Sequence, residues 1–133
     1  MEQFNIKSDK TNNRLYVILK GYFLESEIEL ARNILLRELK ELRFGLDLII
    51  DISDMITNPA YLSDMFYHRM IHIVKDESRY ITRIIKKYRR FESLKKYMKL
   101  NSEVSVRIKN FTSVQEAEDF LNHNQLTNII YCN

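Results

Sequence analysis

The hydrophobic pattern of this 133-residue chain predicts an α/β fold in a single domain, residues 1–133, with a mixed, mostly parallel sheet of about five strands and about four helices. Three observations carry the prediction. The run Leu46-Asp47-Leu48-Ile49-Ile50-Asp51-Ile52 has the near-continuous apolar character of a strand buried on both faces. It is preceded by a long amphipathic pattern and followed by a second one, so strand and helix signals alternate. Only Gly21, Gly45 and Pro59 punctuate the chain, which leaves room for short loops and long elements.

The elements follow in order. Phe4 and Ile6, then Leu15, Val17 and Leu19 at period two, predict an antiparallel hairpin joined through the polar residues 8–13. Gly21 turns the chain away. A helix is expected over 26–43: Ser26 and Glu29 have capping-box spacing, and Ile28, Ala31, Leu35, Leu39 and Leu42 share one face. Gly45 is placed to end it, and the strand at 46–52 follows. Asn58 and Pro59 suit the start of a second helix reaching Val74, with Leu62, Met65, Phe66 and Ile73 as its apolar side. Residues 80–85 read as a strand. Phe91, Leu94 and Met98 mark a short third helix, and Val104, Val106 and Ile108 a strand with one wet face. Ser113 and Glu116 repeat the capping-box spacing before a last helix through Ala117, Phe120 and Leu121, and residues 129–131 suggest a terminal strand. The order is β-β-α-β-α-β-α-β-α, and right-handed crossovers make every pairing except the first parallel.

Composition excludes several function classes. At 45% hydrophobic and 29% charged residues the chain is globular rather than disordered. Its single cysteine, Cys132, rules out an internal disulfide or a multi-cysteine zinc site, and without a nearby His or Asn it gives no nucleophile signal. No apolar run approaches the roughly 18 residues of a membrane span. No basic-then-apolar leader is present, so a cytoplasmic location is the expectation. His68 and His72 share a helix face, but two ligands are too few for zinc and positions 69–71 lack a glutamate. No metal, no cofactor and no catalytic residue is expected.

Two segments carry candidate chemistry. Asp51, Ser53 and Asp54 stand where the buried strand gives way to polar chain, the end at which open α/β sheets meet ligands and partners. With Thr57 and Tyr61 they form a candidate partner-binding surface. The second segment is basic: residues 75–99 hold ten basic against three acidic residues, a balance of +7 that leaves −4 for the rest of the chain. Within it Arg83, Lys86, Lys87, Arg89 and Arg90 form a candidate anion-binding set, with Tyr88 and Phe91 interleaved. No recognisable DNA- or RNA-binding motif accompanies it.

The run Leu15-Tyr16-Val17-Ile18-Leu19-Lys20-Gly21 before a long helix, the run Leu48-Ile49-Ile50-Asp51-Ile52-Ser53 after it, and the helix entry Phe111-Thr112-Ser113-Val114-Gln115-Glu116-Ala117-Glu118 together resemble the STAS domains of anti-sigma factor antagonists. Through Phe44-Gly45-Leu46 the chain looks more closely like the small STAS-like proteins of bacteria. The resemblance covers residues 2–122 and implies a non-enzymatic regulatory domain that docks a protein partner through residues 51–61 and the helix after them. The Asp-Ser-Ser-Gly-like phosphoacceptor of such antagonists is absent, because the corresponding stretch reads Thr57-Asn58-Pro59-Ala60-Tyr61. Ser53 and Thr57 are the remaining hydroxyls nearby. The alternative expectation is an anion- or nucleic-acid-binding module using residues 83–90.

Overall fold

The computed structural model describes residues 4–21, 23–55, 62–85 and 107–132, with backbone alone for 62–64 and 126–132. Its elements are β1 (Phe4–Asp9), β2 (Arg14–Gly21), α1 (Glu25–Leu39), β3 (Leu46–Met55), α2 (Leu62–Val74), β4 (Ser78–Ile84), β5 (Ile108–Phe111) and α3 (Val114–Cys132). The chain is thus α/β, with three helices among the described residues. The helix expected around Phe91, Leu94 and Met98 lies outside them, as do Val104, Val106, Asn58 and Pro59.

The five strands lie in sequence order, β1-β2-β3-β4-β5. β1 pairs antiparallel with β2, from Phe4 opposite Leu19 to Asp9 opposite Arg14, and every later pairing is parallel. α1 and α2 each join neighbouring parallel strands while the sheet grows in one direction. Right-handed crossovers therefore put both helices on the same face.

That face holds the larger core. Leu15, Val17 and Leu19 of β2, Leu48, Ile50 and Ile52 of β3 and Ile81 of β4 meet Ala31 and Leu35 of α1 and Phe66, Tyr67, Met70, Ile71 and Val74 of α2. Phe23 closes one end, its ring 5.7 Å from that of Phe4 and 5.8 Å from that of Phe66. The other face is covered by α3, where Ala117 and Leu121 pack on Ile49 and Ile84 with Tyr16, Tyr80, Phe111 and Phe120 around them. β3 is consequently central and wetted on neither side, which is why residues 46–50 are all buried.

Several boundaries differ from the sequence expectation. α1 starts one residue earlier than expected, because the Glu27 carboxylate accepts the Leu24 amide (2.9 Å) in place of the Ser26–Glu29 pair. It stops at Leu39, and turns through Leu42 lead to Gly45, whose φ of +85° suits glycine. β3 continues to Met55, because Lys20 and Gly21 go on pairing with Asp54 and Met55 past a register shift. The buried stripe of α2 is Phe66, Tyr67, Met70, Ile71 and Val74, at helical spacing. Met65 lies opposite this stripe and Ile73 on its flank, so both are exposed. The strand expected at 129–131 is instead the end of α3: no glycine or proline interrupts residues 114–132, and nothing stops the helix. The Ser113 cap is as expected, its Oγ accepting the Glu116 amide (3.2 Å).

Candidate functional site

The carboxyl end of β3 holds Ser53 and Asp54, beyond the expected strand end at 52, inside the strand together with Asp51. Asp51 and Ser53 alternate onto one face, and Asp54 on the other is exposed and stands opposite Lys20. The Asp51 Oδ1 accepts both the Ser53 amide (3.0 Å) and the Ser53 hydroxyl (2.6 Å). This closed pair turns the serine oxygen toward its own neighbour and leaves the carboxylate partly satisfied. Chemically it is a bracing element for the strand end, with no histidine or arginine joined to it by any hydrogen bond to Asp51 or Ser53 among the described residues. Thr57 and Tyr61 lie outside the described residues.

α2 leaves from this end. Its outward side carries Met65, Arg69 and His72, with Ile73 beside them, and Met65 is 42% exposed. His68 is half-buried, its ring 5.5 Å from that of Tyr67, and burial holds its imidazole below the ordinary histidine range. His72 is exposed. The two histidines sit in different surroundings, and no group of three or more His, Cys, Asp or Glu side chains that could hold a metal occurs among the described residues.

Arg83 is the one described member of the basic set. It is 3% exposed, on the sheet face covered by α2, where its Nη1 donates to the Tyr67 hydroxyl (3.0 Å) and its Nε to Asn110 Oδ1 (2.9 Å). Both partners are neutral. A guanidinium keeps its charge at any pH a protein meets, and no carboxylate pairs with Arg83 among the described residues. Burial pushes the Tyr67 hydroxyl above the ordinary tyrosine range although the adjacent arginine favours its anion. Lys86, Lys87, Arg89 and Arg90 lie outside the described residues.

At the opposite, amino-terminal end of the parallel strands is a polar cluster that sequence reasoning missed. Asp47, almost fully buried, accepts Arg79 Nε (3.1 Å), Arg79 Nη2 (2.7 Å) and the Tyr80 amide (3.1 Å). Arg14, 2% exposed and paired in register with Asp47, donates from Nη2 to Asn122 of α3, and its buried Nε has no hydrogen-bond partner among the described residues. Next to it the Tyr16 hydroxyl donates to Glu118 (2.7 Å), and burial raises its pKa. The available signal was Asp47 itself, a carboxylate inside an apolar run where only a paired charge is stable. Its partner, 32 residues away, has no sequence mark of its own.

Among the described residues no helix is long and apolar enough to cross a membrane. Neither a scan against protein-family models nor a search of curated proteins finds a match to this chain.

Proposed function

We propose that the chain is a non-enzymatic interaction domain of STAS-like type that docks a regulatory protein partner through the end of β3, residues 51–61 and the outer side of α2. The observation that carries this reading is the contrast at that end of the sheet. Polar groups there are spent on each other, Asp51 on Ser53, whereas α2 turns Met65 and Ile73 into solvent although five neighbouring apolar residues of the same helix are buried. Exposed apolar side chains beside polar ones are what partner surfaces are made of.

Affinity isolation from native cell extract tests it, with the wild-type chain, Met65→Asp and Ile73→Asp compared by mass spectrometry and the captured protein then purified for titration. The expected result is one partner whose binding is weakened at least about tenfold by Met65→Asp, the scale of one lost interface contact. A partner held equally well by both variants would rule out the α2 face.

The second reading is an anion-binding module built on residues 83–90, which hold five basic residues and no acidic one, although Arg83 itself is buried beneath α2. A salt series with single-stranded nucleic acid distinguishes it: phosphate contacts give binding that weakens steeply with salt, and protein docking by α2 does not require any.

A further inference from the structure

A polar pocket of about 410 Å³ opens beside the Asp47 cluster, at the amino-terminal end of the parallel strands. The β1–β2 turn supplies Asn12 and Asn13 to its wall, the turn after α1 supplies Arg43 and Gly45, and α3 supplies Gln125, while Asp47 and Arg79 complete it. About seven strand residues at roughly 3.3 Å each separate Asp47 from Asp54, so the pocket lies roughly 23 Å from the docking surface proposed above.

The pocket is held open by backbone structure. Asn13 has a φ of +55° and Gly45 of +85°. The Asn13 side chain brackets Arg43, its Oδ1 accepting the Arg43 amide (2.8 Å) and its Nδ2 donating to the Arg43 carbonyl (3.3 Å). The Asn13 carbonyl accepts the Asp47 amide (3.0 Å), and the Gly45 amide donates to the Glu77 carbonyl (2.8 Å). Two turns far apart in sequence are thereby fixed to each other and to the strand ends. Gln125 Nε2 donates to the Asn12 carbonyl (3.2 Å) and ties α3 to the same rim.

The charges are set as firmly. Asp47 grips one edge of the Arg79 guanidinium, whose carbon also stands 5.1 Å from the centre of the Tyr80 ring. Arg79 Nη1 is left without a hydrogen-bond partner among the described residues. Arg43 also lines the pocket, and its side chain is exposed and makes no ion pair among the described residues. Arg14 lies behind, next to Asn13 in the chain. Of the carboxylates close by, Asp47 is committed to Arg79, Asp9 to Asn12 and Glu41 to Lys10, and Glu77 lines a neighbouring hollow that Arg43 also borders. The pocket lining itself holds two guanidiniums, Arg43 and Arg79, against one carboxylate, Asp47.

We propose that this pocket binds a small phosphate-bearing anion between Arg43 and Arg79. Two guanidiniums lining one pocket suit a tetrahedral oxyanion, whose oxygens point in several directions, whereas a planar carboxylate is matched by a single fork. The immobilised Arg79 is prepaid in conformational entropy, and Arg43 closes from a pinned backbone.

The test is a titration of the isotope-labelled full chain with inorganic phosphate, followed by amide resonances at constant ionic strength, with glycerol phosphate and acetate as parallel arms. The expected result is saturable shifts at Asn12, Asn13, Gly45 and Gln125, stronger for either phosphate than for acetate. Arg43→Gln, at an exposed side chain, should weaken binding about tenfold with the spectrum otherwise intact, the effect of one charge-assisted hydrogen bond. Arg79→Lys keeps the charge beside Asp47 but loses the free Nη1 edge, and should weaken it similarly. Shifts reproduced by sodium chloride, tighter binding of acetate, or unchanged affinity in Arg43→Gln would each overturn the proposal. It does not depend on the docking surface, and the partner-capture experiment reads that surface separately.

Discussion

Replacing Asp47 by alanine should destabilise the protein by about 3 kcal/mol, a figure built from its three hydrogen bonds. The substitution removes the acceptor of Arg79 Nε and Nη2 and of the Tyr80 amide. Breaking a buried ion pair by deleting one partner typically costs 3–5 kcal/mol. The lower end applies here, because the Arg79 side chain keeps 23% of its exposure and recovers water, whereas the Tyr80 amide loses an acceptor at a buried strand start. Loss of Tyr80 alignment also loosens its edge-on contact with Phe120, 5.1 Å away. Asp47→Asn keeps an acceptor oxygen and should cost about half as much. Asp47→Leu combined with Arg79→Met replaces the pair with apolar groups and should recover the share of the loss due to the unpaired guanidinium, while the Tyr80 amide stays without its acceptor. Urea denaturation followed by circular dichroism measures all three, and a midpoint shift without a change in slope assigns the effect to stability. If Asp47→Ala falls within about 0.5 kcal/mol of wild type, the pair is not a determinant of the fold and the reasoning fails.

Other outcomes follow from burial and capping. Ile50→Asp, at a side chain with no exposure in the central strand, should cost on the order of 4 kcal/mol or abolish folding, and wild-type melting would refute the placement of β3. Ser113→Ala removes the acceptor of the Glu116 amide and should cost about 1 kcal/mol, read from the same urea curves. Tyr16 and Tyr67 both have pKa values raised in the folded state, so the stability they contribute is full below the unfolded value near 10 and is lost as the pH rises through and beyond it. Melting temperatures from pH 8 to 11 should fall above pH 10, and less so in Tyr16→Phe; an identical decline in both would contradict the assignment.

The sequence made the larger core legible and left the polar clusters hidden. Leu15, Val17 and Leu19, and Ala31 and Leu35, sit on the faces that their spacing assigns, because apolar periodicity is a local signal. The same signal misplaced Met65 and Ile73: with apolar residues all round much of α2, the choice of buried side depends on what the sheet offers. β3 runs past the expected end at 52 although Ser53 and Asp54 have polar character, because pairing of Asp54 and Met55 with Lys20 and Gly21 continues the strand. The pairings of Arg14, Asp47, Arg79 and Arg83 are legible only in three dimensions. Each meets a partner at least 16 residues distant, so that only Asp47, a carboxylate inside an apolar run, leaves a local mark, and its partner leaves none.

The sequential order of the strands has a consequence for how the chain assembles. As synthesis proceeds from β1 to β5, each parallel strand emerges next to a neighbour that is already present, and α1 and α2 can settle on their face without waiting for distant chain. The opposite face has no such arrangement. Among the described elements Ile49, Tyr80 and Ile84 are covered by α3, which follows β5. Of the described elements, those that cover the two faces are thus made at different times: α1 and α2 between the strands, α3 after all five of them.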